Sequence, residues 1–331
     1  MRRLGVFILG ITFAAGVSVC NIQTVRAEER NVYIGGMPAG FTIFSGGIQI
    51  LGFCEIMTEN GVVSPASNAD MKAGDCIIAV AGISVETVGE LNEILEKNGV
   101  NPLKVRIQRG EEEIEKIIIP AKDRITGRIK LGLLIRDGVS GIGTVTYIEK
   151  ETGRFGALGH AVSNGGKNLK IVGGIVYPCS IIGVTKGIRG KAGELRGMFL
   201  AEEAFGTAEK VCSSGIFGQM QNNYEDYLNA ATANSKDVKP GKASIFSTVS
   251  GELPKEYSIE IVKVDKNNRE NKNYVIKVTD EELIELTGGI VQGMSGSPIV
   301  QNGCLVGAIT HVFINDPTRG YGINIDKMLN E

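Results

Sequence analysis

Gly288-Gly289-Ile290-Val291-Gln292-Gly293-Met294-Ser295-Gly296-Ser297-Pro298 is the stretch that decides how this 331-residue chain is read. Its serine stands in the pattern Gly-x-Ser-Gly-x-Pro, the form of a turn that presents a nucleophile. A serine hydroxyl is weakly nucleophilic at its own pKa, so it must be held where a base can take its proton. Small neighbours let the backbone N–H groups of Gly293 and Ser295 converge on one carbonyl oxygen. Such an oxyanion hole lowers a barrier by about 3–4 kcal/mol per donor. A bulky residue at 293 or 296 would block that approach. The plain alternative is a Gly/Ser-rich turn between strands, and a base elsewhere in the chain separates the two.

The chain has only two histidines. His160 lies upstream in the small-residue turn Phe155-Gly156-Ala157-Leu158-Gly159-His160-Ala161-Val162-Ser163. The order histidine then serine, widely separated, fits a double-β-barrel peptidase with one catalytic group per barrel. His311 follows Gly307-Ala308-Ile309-Thr310 on an expected strand leaving the serine turn. That place suits a pocket wall or a structural histidine, so His160 is the expected base. Asp226, Asp237, Asp265 and Asp280, besides several glutamates, lie between base and nucleophile. Position alone does not choose the acid among them.

Three blocks together resemble the stage IV sporulation protein B peptidases. They are Gly156-Ala157-Leu158-Gly159-His160, Thr287 through Pro298, and Thr310-His311-Val312-Phe313-Ile314-Asn315-Asp316-Pro317. The resemblance runs from about residue 33 to the C-terminus. It implies a mainly β protein with an N-terminal signal or anchor, a PDZ domain and a trypsin-like double β-barrel peptidase domain. It places the catalytic serine on Ser295, the histidine on His160 and the acid on Asp280. Asp280 stands so close before the serine that it either orients His160 or supports the nucleophile loop. Also implied is a serine endopeptidase, needing no metal or organic cofactor, that works in the space between forespore and mother cell. Its substrates would be membrane-associated regulators of sporulation. Self-cleavage near the N-terminus belongs to the same resemblance, although little chain separates the apolar segment here from the first module. The rival reading is a non-catalytic PDZ adaptor that binds peptides or protein C-termini.

Length and charge are compatible with this. The chain is long enough for two domains with separate cores. A net charge of −2 supplies no global attraction to nucleic acid or acidic lipid. Forty-five glycines and no tryptophan suit many tight β turns. Arg2 and Arg3 precede an uncharged apolar run over 4–20, and Val25-Arg26-Ala27 offers a cleavage site. Residues 1–27 therefore read as a signal peptide or membrane anchor, with the remainder exported across the cytoplasmic membrane. After Cys20, Cys54, Cys76, Cys179, Cys212 and Cys304 form no CxxC pair, and they read as small buried residues.

Residues 33–121 read as the PDZ module. Ala39-Gly40-Phe41-Thr42-Ile43 resembles a carboxylate-binding loop, making Gly40, Phe41, Thr42 and Ile43 the expected peptide-binding residues. Ala69-Asp70-Met71-Lys72-Ala73-Gly74-Asp75, the apolar run 76–80 and Ala81-Gly82 strongly resemble the rest of the PDZ signature. Thr87 with Glu90 makes a capping box, Val88, Leu91, Ile94 and Leu95 share a helix face, and Asn98-Gly99 stops it. Alternation through Leu103, Val105 and Ile107, a turn at Gly110 and a return over 114–119 predict a hairpin. A peptide would add as a strand beside that helix. A polar linker follows over 121–128. The peptidase domain is expected over 130–331, with strands near 131–134, 143–148, 171–177, 181–185, 243–249, 257–264 and 274–278. Helices are expected over 219–231 and 281–286.

Overall fold

The computed structural model describes residues 30–164, 167–168, 173–200, 204–221 and 229–331. The expected signal segment 1–27 lies outside them, as does Asp226. Among the described residues no helix is long and apolar enough to cross a membrane.

Two long strands organise the molecule. Pro38–Phe53 and Leu133–Glu149 run antiparallel from Phe53↔Leu133 to Pro38↔Thr144, with register shifts near Leu134 and Arg136. This ribbon passes through two separate cores. Gly46 and Gly47 mark the passage with φ +72° and +149°, and a Cβ at Gly47 would sit 2.6 Å from Cys76 Sγ. Only glycine accommodates that close approach.

At one end the ribbon joins Gly173–Thr185, Gly206–Cys212, Gly215–Met220 and Arg154–Ala157 in a ring of six strands that closes on itself. Inward residues such as Phe41, Ile43, Val145, Phe155, Val176 and Ile216 fill it. A second six-stranded ring follows from Gly241–Ser247, Lys255–Val264, Tyr274–Val278, Asp316–Asn324, Cys304–Phe313 and Pro298–Gln301. Its strands alternate as a pleated, half-buried sequence must. In Tyr274–Val278 the residues Tyr274, Ile276 and Val278 are buried, while Lys277 faces out. Truncating Ile276 to Ala would cost about 2–5 kcal/mol. A third apolar cluster, including Val32, Tyr147, Phe217, Leu305 and Ile323, welds the barrels together. The strands expected from sequence in this region overlap observed ones, but 131–132 and 248–249 lie beyond the strand ends and 171–172 outside the described residues.

At its other end the ribbon enters a small module with its own core, including Ile48, Ile77, Leu91, Leu95, Val105 and Ile107. The helix Val88–Asn98 carries the expected capping box between Thr87 and Glu90 and ends on Gly99 at φ +63°. The hairpin Leu103–Arg109/Glu112–Ile118 follows as expected. Burial opposes ionisation of Asp75. The Arg109 guanidinium at 2.7 Å and the Lys72 N–H nonetheless hold its carboxyl below the usual range.

Three expectations are corrected. Gly40, Phe41, Thr42 and Ile43 form no peptide-binding loop. They belong to a barrel strand paired on one side with Ile142, Gly141, Ser140 and Val139, and on the other with Tyr177, Val176, Ile175 and Gly174. Both edges are occupied, so no further strand can add there. The module is also an insertion rather than a leading domain. Arg30–Ile34 and residues 38–44 pair within the peptidase region, and the chain re-enters the barrel only through Leu133–Glu149. Finally, 219–231 is no single helix. Gly215–Met220 and Ala230–Ala233 are strands, with 222–228 outside the described residues. The helix expected at 281–286 is present as Glu281–Thr287.

Candidate active site

The turn carrying Ser295 is held by backbone contacts along its whole approach. Helix Glu281–Thr287 ends on Gly288 in the left-handed region, at φ +77°. A Cβ at Gly288 would lie 2.1 Å from Gly187 O, and one at Gly289 would lie 2.2 Å from Pro317 O. Ile290 N donates to Pro317 O at 2.7 Å, and Gln292 N donates to Gly193 O at 2.8 Å. Met294 is fully buried beneath the turn. Gly293 and Gly296 both adopt φ +97°. At Gly296 a Cβ would come within 2.1 Å of Thr144 O, so the first barrel admits only hydrogen there.

The carbonyls of the turn point toward the strand Leu133–Glu149. Gly293 O accepts from Thr144 Oγ1 at 2.8 Å, Ser295 O from Thr144 N at 3.1 Å, and Gly296 O from Thr146 Oγ1 at 2.7 Å. Met294 N donates to Val291 O. By contrast, the N–H groups of Gly293 and Ser295 have no acceptor among the described residues. Two unpaired N–H groups flanking a serine form the donor pair that a developing oxyanion needs. The Ser295 hydroxyl itself donates to Thr310 O at 3.0 Å.

His160 reaches the same cleft from the first barrel. After Arg154–Ala157 the chain turns through Leu158 and Gly159, both left-handed at φ +69° and +71°. Leu158 N donates to Thr144 O at 3.2 Å, so Thr144 anchors this turn as well. His160 Nδ1 lies 2.9 Å from Ala161 O, which assigns the proton to Nδ1 and leaves Nε2 as the acceptor. Burial lowers the imidazole pKa, with the Ala161 bond working against that shift. The His311 ring stands 5.2 Å from that of His160, centroid to centroid, tilted by 42°. Its pKa is lowered by desolvation in the cleft, then by the charges of His160 and Lys272. Ser295, His160 and His311 all line one cleft of about 530 Å³. A larger hollow of about 1030 Å³ lies on the inserted module, without a histidine, serine or cysteine in its lining.

Asp280 is not brought to His160. Its Oδ1 accepts from Leu283 N and its Oδ2 from Ser258 N, both at 3.1 Å. It is the N-cap of the helix that delivers the nucleophile turn. Of the two readings open from sequence, orientation of His160 and support of that loop, these bonds favour the second. Asp265 accepts from Asn267 N, and Asp237 is an exposed surface carboxylate. Among the described residues no carboxylate bonds to His160. Thr144 and Thr146 escaped the sequence reading altogether. The only local signal was a threonine at alternate positions on one strand face, a pattern shared by many exposed strands.

The cysteines Cys54, Cys76, Cys179, Cys212 and Cys304 are free, with Cys179 buried and the others half-buried. A sequence model described as SpoIVB peptidase S55 matches residues 127–329. The match begins just before the ribbon re-enters the first barrel and includes His160, Asp280, Ser295 and His311. Covering more than half of the chain, it shows that the protein belongs to the SpoIVB peptidase S55 family, the serine peptidases of the SpoIVB type.

Proposed function

We propose that the protein is a serine endopeptidase in which Ser295 attacks a peptide carbonyl. Nε2 of His160 accepts the hydroxyl proton and returns it to the leaving amine. The N–H groups of Gly293 and Ser295 bind the oxyanion. The observation that carries this reading is a pair of N–H groups with no acceptor among the described residues, beside a serine that shares its cleft with the His160 imidazole. In the resting site the Ser295 hydroxyl points to Thr310 O, so a rotation about χ1 must precede proton transfer. Asp280 acts at one remove, by capping the helix that carries the turn.

The inserted module is a PDZ domain that takes an extended peptide along Leu133 to Ile135, beside helix Val88–Asn98. Leu133, Leu134 and Ile135 pair with Phe53, Gly52 and Ile50, and the segment follows Gly132 at φ +76°. With the family's role, this supports regulatory proteolysis in sporulation on membrane-associated proteins outside the cytoplasm. The apolar segment 4–20 would serve for export or anchoring, and self-cleavage would follow it. A non-catalytic adaptor is the competing function. A fluorophosphonate probe decides between them: covalent labelling of the purified protein, lost in Ser295→Ala, supports the peptidase. A folded protein that resists the probe and cleaves no protein substrate would be the adaptor.

A further inference from the structure

We infer, on the serine-peptidase reading proposed above, that the cleft selects an apolar, uncharged residue on the acyl side of the scissile bond. The walls around the Ser295 hydroxyl are hydrocarbon. Ile142 and Leu158 come from the first barrel, and Ile290, Val291, Val312 and Ile314 from the second. Apart from the two histidines, no ionisable side chain among the described residues lines the cleft. A lysine, arginine, aspartate or glutamate entering it would lose its water without gaining a counter-charge. A leucine or phenylalanine loses only unfavourable hydration.

Serine peptidases that choose basic residues place a carboxylate in this pocket. The run that leads into the present turn, Gly289-Ile290-Val291-Gln292, contains none. Nor can one be placed at Gly289 without moving backbone, given φ +127° and the 2.2 Å approach to Pro317 O. Ile290 is buried, and its Cδ1 lies so close to Gly320 that a Cβ there would approach to 2.7 Å. The wall is therefore mostly packed hydrocarbon, and its polar members Gln292 and Thr310 carry no charge. At about 530 Å³ the cleft has the size of a small-molecule pocket, so residues on both sides of the bond can enter it.

The test uses the full chain. Fluorophosphonate labelling first establishes a competent serine. Quenched peptides varying one position through Leu, Phe, Met, Val, Lys, Arg, Asp and Glu then give kcat/KM, with the cleaved bond identified by mass spectrometry. The expected result is a preference of about tenfold or more for the apolar residues. Val312→Asp, checked for folding by its melting temperature, should raise Lys and Arg turnover relative to Leu by about tenfold. Labelling together with equal or better cleavage after charged residues overturns this inference alone. A folded Val312→Asp protein with unchanged preference overturns the placement of this wall. Absence of labelling in the folded protein overturns the peptidase reading and this inference with it.

Discussion

The Thr144 hydroxyl donates to the Gly293 carbonyl at 2.8 Å, joining a strand of the first barrel to the nucleophile turn of the second. The same residue donates its N–H to Ser295 O and accepts from Leu158 N. It thus fixes the turns of both proposed catalytic residues. The bonded carbonyls fix the peptide planes that follow Gly293 and Ser295, the residues whose own N–H groups have no acceptor among the described residues.

Thr144→Val keeps the shape of this buried side chain but removes the hydroxyl. The Gly293 carbonyl would lose its partner, at about 1–3 kcal/mol in stability. Misalignment of the oxyanion donors should lower kcat by roughly tenfold or more, with KM changing less. Thr144→Ser should restore most of both. Steady-state kinetics and melting temperature on the three proteins check this, and equal kcat values would remove Thr144 from the mechanism.

Ser295→Ala and His160→Ala should each reduce proteolysis by about 10⁴-fold or more, and the double variant should lose nothing further, because the pair acts as a unit. His311→Ala should act chiefly on KM, since its ring stands beside the base on the cleft wall. Kinetic analysis of the four proteins on one protein substrate separates these outcomes. An inactive but folded His311→Ala protein alongside an active His160→Ala protein would transfer the role of base.

Asp280→Ala should lower stability by about 1 kcal/mol through loss of the helix cap. The activity lost should be far smaller than in His160→Ala, because the effect reaches Ser295 only through the loop. Asn caps helices well, so Asp280→Asn should retain most stability and activity. A stable Asp280→Asn protein with a loss of about 10⁴-fold would restore the direct partnership with His160.

Burial holds His160 below the ordinary histidine value, and the base must be neutral to act. Activity should therefore persist somewhat below pH of about 6.5 and fall only as the pH drops through the depressed value. Stability follows the same sign. Between the two values the unfolded chain binds more protons, so His160 and His311 both make the fold less stable as pH falls below about 6.5. Profiles of kcat/KM and melting temperature against pH check this. An acid limb centred above pH 7, raised well past that of an ordinary histidine, would contradict the buried, neutral imidazole.

Sequence by itself determined the features whose causes are local. The glycines around Ser295 mark a tight turn. Thr87 and Glu90 mark a helix start, and alternation at Leu103, Val105 and Ile107 marks a half-buried strand, because each signal spans only a few residues. The same locality misled the reading of Gly40 to Ile43. A short Gly-containing apolar run suits a binding loop or a barrel strand equally, and pairing with Ile142 and Tyr177 decides between them. Tertiary structure alone decided that the module is inserted into a ribbon, that Asp280 caps a helix and that Thr144 and Thr146 hold the nucleophile turn. Those two threonine bonds join residues 149 and 150 positions apart. Barrel closure brings such groups together, and closure is a property of the summed pairing of six strands, so it leaves no periodic trace around either partner.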